Sequence, residues 1–358
     1  MRHIPSGHTL KMRNKASPKG DFVSDTQKPS RAVTKEDVAR HAGVSHITVS
    51  RVVNTPEKVA PATRARVQAA IASMGYIPNL LAGGLASRRT RIIAAVVPTI
   101  GHSIFADTIR GLSDELAAHG YQLLLGQSNY SEDSETALVE AFIGRRVDGL
   151  VLTGVQHTSR TRQRLQASKI PVVEIWDLTS KPIDMLAGFS NYDAGYAMAE
   201  YLAARGYRRM AFVGGEDARG LARFAGMADA LKSHRLAAPQ RVQTAAGSFF
   251  RAGREALVDI VTHHPKTDAA FFSNDVIAAG ALFECNRRNI KVPEQLAIAG
   301  FANLDIAPEV TPALTTVHVG SQQIGEKAAQ MLLARLGGAT DAHPVCDLGF
   351  SIVPRESA

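Results

Sequence analysis

From Ile92 to Gly300 the chain repeats one pattern: a short apolar run, a stretch of helical periodicity, then another apolar run. The runs are Ile92–Val97, Gln122–Gly126, Gly149–Thr153, Val172–Ile175, Met210–Gly214, Ala269–Ser273 and Ala297–Gly300. Helical patterns lie between them, among them Phe105–His119, Ala194–Arg205, Gly220–Ser233, Gly253–His263 and Ile277–Arg288. Strands that alternate with helices at this spacing build βαβ units and parallel sheets. Roughly 270 residues of such alternation exceed one comfortable sheet, so the expected core is a pair of similar doubly wound α/β lobes.

The segment before the core reads differently. "TKEDVARHAGVSHITVSRVVN" holds two short amphipathic helices around a glycine. Thr34 is placed to cap the first, with Asp37 at its N3 position, and Val38, Ala39 and Ala42 form its inner face. Gly43 lets the chain turn. Ser45 or Thr48 opens the second helix, whose inner residues are Val49, Val52 and Val53. A third helix, "PATRARVQAAIASMG", has Pro61 near its start and Gly75 after its end. Three short helices with a glycine between the first two describe a helix-turn-helix.

Charge separates the two parts. Residues 1–90 carry 15 Lys and Arg against 5 Asp and Glu, whereas the remaining residues carry 26 against 28. All of the net +8 therefore sits in the first quarter. A basic module joined to a near-neutral body is the electrostatic footprint of nucleic-acid binding. The expected organisation is a disordered basic tail (1–31), a helix-turn-helix domain (32–77), a hinge helix or linker (78–90) and an effector-binding and dimerisation core (91–358). The hinge, "LLAGGLASRRT", is too short to be a stable helix alone, since isolated helices below about 12–15 residues are marginal in water. Gly83 and Gly84 each cost such a helix roughly 0.8–1 kcal/mol relative to alanine. A helix there needs help from a partner.

"DVARHAGVSHITVSRVVN", "GYIPNLLA" and "RRTRIIAAVVP" resemble the LacI/GalR family of bacterial repressors. "FFSNDVIAAGAL", "KVPEQLAIAGFANLDIA" and "PALTTV" resemble that family's sugar-binding-protein-like core. "HTSRTRQ", "IPVVEIWD", "AGFSNYDAG", "LFECNRRNIKVPE" and "CDLGFSIVP" look most like its gluconate-operon repressors. The resemblance implies that the first residues of the second helix read bases in the major groove: His46, Ile47 and, one turn on, Arg51. Arg51 has the fork to bind a guanine edge, and Ile47 offers only apolar contact, for instance to a thymine methyl. Ser45, Thr48, Ser50 and Asn54 are expected at phosphates. Family hinges fold only on operator DNA and pass a leucine into the minor groove. Asn79 and, by its spacing from Asn79, Leu85 fall at those DNA-contacting hinge positions.

In two-lobed α/β cores, ligands bind between lobes at the C-terminal ends of strands. The segments after the strands there supply Thr99, His102 and Phe105, then Arg219 and Arg223, then Asn274 and Asp275. His102 departs from the asparagine usual in the family. Arg219 and Arg223 are four apart, hence on one helical face near a helix start, a good carboxylate site. Arg223 also matches the family's effector-binding arginine by its spacing before Gly226. Asp275 reads equally as a helix cap. Phe249 matches a cleft aromatic, and Trp176 stands where relatives place a polar cleft residue. Ala302 replaces an aspartate found after the aromatic in many relatives, which lowers repulsion toward an anion. An aldonic acid, gluconate or a close relative, is the expected effector, and release of operator its expected effect.

Other classes fit less well. No GxGxxG follows the first strand, and no P-loop, GxSxG or HExxH occurs, so no enzyme is expected. A solute-binding protein of a transporter would suit the core, but the basic helix-turn-helix and the lack of an apolar signal core oppose it. Two cysteines without CxxC spacing fit neither a metal site nor a disulfide scaffold. The expectation is therefore a bacterial cytoplasmic homodimer bound to double-stranded operator DNA, with no cofactor, metal or membrane contact.

Overall fold

The computed structural model describes residues 33–77, 89–101, 103–244, 249–339 and 344–358, in two compact units that divide between Ala86 and Ser87. The first unit holds α1 (Lys35–Ala42), α2 (His46–Asn54) and α3 (Pro61–Met74). Thr34 caps α1 reciprocally: its hydroxyl accepts the Asp37 N–H at 3.3 Å, and the Asp37 carboxylate accepts the Thr34 N–H at 3.0 Å. Gly43 ends α1 with φ 61°, the left-handed turn that glycine adopts without a Cβ clash. Ser45, rather than Thr48, opens α2: its hydroxyl accepts the Thr48 N–H at 3.2 Å. The inward residues Val38, Ala39, Ala42, Val49, Val52, Val67 and Ala70 form one small core. Val53, expected among them, is only half-buried.

The second unit contains two six-stranded sheets. The first is built from β1 (Ile92–Val97), β2 (Gln122–Gln127), β3 (Gly149–Thr153), β4 (Val172–Ile175), β5 (Met185–Gly188) and β11 (Val345–Asp347). They lie in the order β11-β5-β4-β3-β1-β2, and every neighbouring pair is parallel. The second contains β6 (Met210–Gly214), β7 (Gln240–Gln243), β8 (Ala269–Phe272), β9 (Ala297–Ala302), β10 (Thr315–His318) and β12 (Ser351–Val353). Their order is β12-β10-β9-β8-β6-β7, parallel except for the antiparallel β10–β12 pair. All of the expected strands are present, and both sheets are doubly wound.

Helices α4 (Ala106–Ala118), α5 (Glu132–Gly144) and α6 (Ser159–Ser168) follow strands of the first sheet. Helices α7 (Asn191–Ala204), α8 (Ala218–Ser233), α9 (Phe249–His263), α10 (Asp275–Arg288) and the one-turn α11 (Ile306–Glu309) belong with the second, and α12 (Ser321–Leu336) returns to pack on α4. The chain thus passes between lobes three times, after β5, after β10 and after β11.

The α7–α8 contact positions the later argument. A Cβ added at Gly226 of α8 would overlap the Tyr192 carbonyl oxygen of α7, and one at Gly195 the Arg223 carbonyl. Gly226→Ala is therefore expected to force α8 off α7, at about 1–3 kcal/mol for overpacking. That corresponds to a melting temperature lower by roughly 2–12 °C. An unshifted thermal melt would show that the helices separate freely.

Candidate effector cleft and nucleic-acid interface

The loops after β1, β3, β4, β6 and β8 converge on a cleft of about 600 Å³. It lies where parallel strands from both sheets end, the expected position for a ligand. Helix α8 starts on its wall. Asp217 caps the helix, its side chain accepting the Gly220 N–H at 3.3 Å, and Arg219 and Arg223 follow on one face. Both are buried, at 9% and 5% exposure, so neither is a solvated surface arginine. The Arg223 guanidinium lies 4.2 Å from the Phe301 ring centre, and its Nη1 donates to Asn191 Oδ1. Its Nε has no partner among the described residues. Arg219 lies 5.8 Å from the Phe105 ring centre, with its Nε 3.7 Å from Asp217.

The electrostatics keep Arg223 charged. Burial pushes Arg223 down to about 10, with Asp217 acting against it, so the group remains a cation at neutral pH. Burial also pushes the Asp217 carboxyl up, but the two arginines and backbone N–H groups outweigh it and hold it below the usual carboxylate range. Burial raises Asp177, while hydrogen bonds from the Leu178 N–H and the Asn191 amide oppose the rise. Two buried guanidiniums with spare donors beside a helix N-terminus suit a carboxylate.

Of the other residues expected here, Phe105, Trp176, Phe249 and Asn274 line the cleft. Trp176 is 1% exposed and sits edge-on between Phe105 and Phe189, at 5.0 and 5.9 Å, so it is a wall and not a free stacking platform. Its Nε1 donates to Thr108 Oγ1 at 3.0 Å. Its φ of 66° is costly for a bulky residue, and such strain gathers at ligand sites. Asn274 caps α10 by accepting the Ile277 N–H at 2.9 Å. Asp275 does not reach the cleft. Its buried carboxylate accepts the Thr316 hydroxyl at 2.5 Å and the Leu304 N–H at 2.7 Å, which makes it a brace between α10 and the strand ends. Burial pushes this carboxyl up to about 7 against those two bonds. Thr99 is also outside the cleft, its hydroxyl accepting the Gly101 N–H at 3.1 Å. Ala302 is 3% exposed and does not line the cleft, so its missing carboxylate acts at most from behind the wall. His102 lies outside the described residues.

Three features of the cleft were not expected from the sequence. Asn191, at the start of α7 and the first passage between lobes, donates to the Trp176 carbonyl at 3.0 Å while accepting from Arg223. It thereby joins the cleft walls of both lobes. Asp177 follows Trp176 on the same wall. Lastly, His157 has no exposed side-chain surface and lies between two glutamates. Its Nδ1 is 2.6 Å from Glu135 and its Nε2 3.3 Å from Glu174. Burial works against the imidazolium, but the two carboxylates outweigh it and raise the ring to about 9.

The sign of the pH effect follows. An unfolded histidine titrates near 6.5, so the buried cation contributes fully below that pH and its contribution disappears as pH rises to about 9. The difference is on the order of 3 kcal/mol. The melting temperature is expected to fall between pH 6.5 and 9, and His157→Gln to lack this component. Equal slopes for the two proteins would remove the imidazolium from the account.

The first unit offers a separate face. His46, Ile47, Ser50, Arg51 and Asn54, with Lys35 and Thr55, border one shallow groove on the side of α2 opposite buried Val49 and Val52. Ile47 is 53% exposed, an apolar group left without protein cover. Arg51 is exposed, and Asn54 is turned back onto Ser50, donating to its carbonyl at 2.9 Å. Ser45 and Thr48 sit at the helix start, with hydroxyls 3.0 Å apart. A helix N-terminus and one polar face with an exposed arginine are the geometry of a major-groove reader. Asn79 and Leu85 lie outside the described residues. Among the described residues, no helix is long and apolar enough to cross a membrane, and no three or more His, Cys, Asp or Glu side chains cluster as a metal-binding group.

Known proteins share both units. Residues 34–79 match the family described as bacterial regulatory proteins, lacI family, and residues 199–358 match the periplasmic binding protein-like domain. The HTH-type transcriptional regulators GntR and IdnR of Escherichia coli K12 are each 35% identical to the chain. The alignments cover 89% of this chain and 96% and 97% of theirs. The crystal structure of a LacI family transcriptional regulator from Silicibacter pomeroyi superposes with a TM-score of 0.86 at 33% identity, covering 91% of this chain and 99% of that one. With its helix-turn-helix unit and two-lobed α/β core, the chain belongs to the LacI family and is a DNA-binding transcriptional repressor, not an enzyme.

Proposed function

We propose that this repressor acts as a homodimer on operators of sugar-acid catabolism and that its effector is a small sugar acid, gluconate or a close relative. The observation that carries the reading is the buried Arg219–Arg223 pair at the start of α8, facing a cleft between lobes. The opposite wall offers Ser128, Thr153 and Asp177, groups suited to hydroxyls. The motifs shared with gluconate-operon repressors point the same way. In this reading His46, Ile47 and Arg51 touch bases, Ser45, Thr48, Ser50 and Asn54 touch phosphates, and Asn79 and Leu85 act in the hinge of residues 78–90. The paired rings of Phe250 and Phe283 are 48% and 46% exposed, 5.9 Å apart across α9 and α10, and suit a subunit contact. Sedimentation of the full chain tests that stoichiometry.

Ligand closes the cleft and shifts one lobe against the other, which alters hinge spacing in the dimer. A coupling of about 1–3 kcal/mol between effector and DNA is typical of such sites. Calorimetric titration with gluconate, 2-ketogluconate, 6-phosphogluconate and glucose tests the effector. An aldonate should bind tightest; tightest binding by neutral glucose would overturn the reading. In a gel shift, gluconate should release the operator, and tighter binding would reverse the proposed sign.

A further inference from the structure

We propose that Glu135 is the carboxylate that selects the effector by its hydroxyls, and that His157 and Glu174 position it. This rests on the sugar-acid reading above and names the second end of the same site.

Glu135 stands on α5 and lines the cleft, yet its side chain is only 13% exposed. One oxygen is fixed by His157 at 2.6 Å. The other nitrogen of His157 faces Glu174 Oε1 at 3.3 Å. Glu174 is completely buried on β4, and its second oxygen accepts the Ile183 N–H at 2.6 Å. His157 Nε2 and Glu174 Oε1 make no hydrogen bond and have no other partner among the described residues, so what joins them is charge, which requires the imidazolium. The chain of contacts ends at strand β4, two residues before Trp176 in the cleft wall. Glu135 is thus held by the same strand that shapes the cavity.

Stability alone is a weak reason for this arrangement. Buried ion groups are often replaced by packed apolar residues at no loss, because desolvation offsets their attraction. What apolar residues cannot provide is a carboxylate held in one orientation at a cavity wall. A fixed anion there has two consequences. It repels the ligand's own carboxylate and so directs it to Arg219 and Arg223, the buried arginines among the described residues of the wall. It also accepts hydroxyl donors, and an analogue that lacks the matching hydroxyl leaves a desolvated carboxylate unpaired. A site built in this way rejects the deoxy compound far more strongly than an apolar pocket rejects an extra methylene. The favoured ligand class is an open-chain polyhydroxy acid with its carboxylate on the arginines and a hydroxyl on Glu135.

The test is a ligand–variant cycle on the full chain by calorimetry. The probes are gluconate and its analogues lacking the hydroxyl on carbon 4, 5 or 6. Glu135→Gln should weaken gluconate by about 10- to 100-fold, the loss expected for a hydrogen bond to a charged group. The same variant should leave one deoxy analogue nearly unaffected, because that analogue never made the contact. His157→Gln should show the same selectivity with a smaller factor, since it frees Glu135 without removing it. A common factor for all four ligands in both variants, or no change in either, overturns the proposal while the sugar-acid reading survives. If the parent protein binds none of the four, that reading fails and this one with it.

Discussion

Arg223→Met is expected to weaken sugar-acid binding by about 30- to 5,000-fold, because truncating one partner of a buried charge pair costs about 2–5 kcal/mol. The argument starts from cost. A guanidinium at 5% exposure, lowered to about 10 by burial, is kept only if something rewards its charge. Its side-chain contacts among the described residues are one hydrogen bond to Asn191 and the face of Phe301, with Nε left over and the Asp217 and Asp177 carboxylates acting on it only through space. That is too little for a buried cation with five donors. An arriving carboxylate completes the shell, and methionine keeps the packing on Phe301 while removing every donor. The operator complex of the variant should then fail to respond to gluconate in a gel shift. Arg223→Lys should fall between, since an ammonium lacks the planar fork that meets both oxygens. Calorimetry showing parental affinity for Arg223→Met would place the carboxylate elsewhere, and with it the functional reading of α8.

The core was legible because its central strands are nearly unbroken apolar runs. Ile92–Val97, Gly149–Thr153 and Met210–Gly214 are buried almost throughout. Sequence alone did not show five strands: Met185–Gly188 and Thr315–His318 are buried, His318 apart, but only four residues long, and the other three are edge pieces. Gln240–Gln243 has one buried residue in four, and Val345–Asp347 and Ser351–Val353 are three residues each with none fully buried. A half-solvated edge strand has no reason to be apolar, so its signal is weak. The alternation also gives no sign of which lobe receives a strand. β11 joins the first sheet and β12 the second, though only Leu348, Gly349 and Phe350 separate them.

The cleft divides along the same lines. Arg219, Arg223 and Asn274 are placed by local rules, the start of a helix after a strand, and their positions could be read from spacing. Asp275 obeys the same local rule but its side chain turns inward to Thr316 and Leu304, a contact that only the packed sheet creates. Asn191 and the Glu135–His157–Glu174 group depend on meetings across 15 to 32 residues of chain. The motifs "AGFSNYDAG" and "HTSRTRQ" contain Asn191 and His157, so the residues were in view while their partners were not.

Arg51→Ala carries the second large expected effect, on the other unit. A bidentate arginine–guanine contact discriminates by about 1–3 kcal/mol, and a two-fold symmetric dimer makes it twice. The operator affinity should therefore fall by roughly 30-fold to 10⁴-fold, with relaxed preference at one base pair in each half-site. The structural basis is that Arg51 is exposed on the groove-bearing face of α2, one turn from Ile47 and away from the buried side of the helix. Its removal should leave the small core of Val38, Val49 and Val67 intact, so the melting temperature of the first unit serves as the control. Salt dependence separates the two ways an arginine can serve DNA. If Arg51 binds a phosphate, the variant should weaken on all sequences alike, and the slope of log affinity against log salt should shrink by about 1 per copy. If it reads a base, the variant should instead narrow the gap between operator and random DNA while the slope changes little. Measuring both duplexes across a salt series decides between them, and a uniform weakening with a shallower slope would move Arg51 from base reader to phosphate anchor.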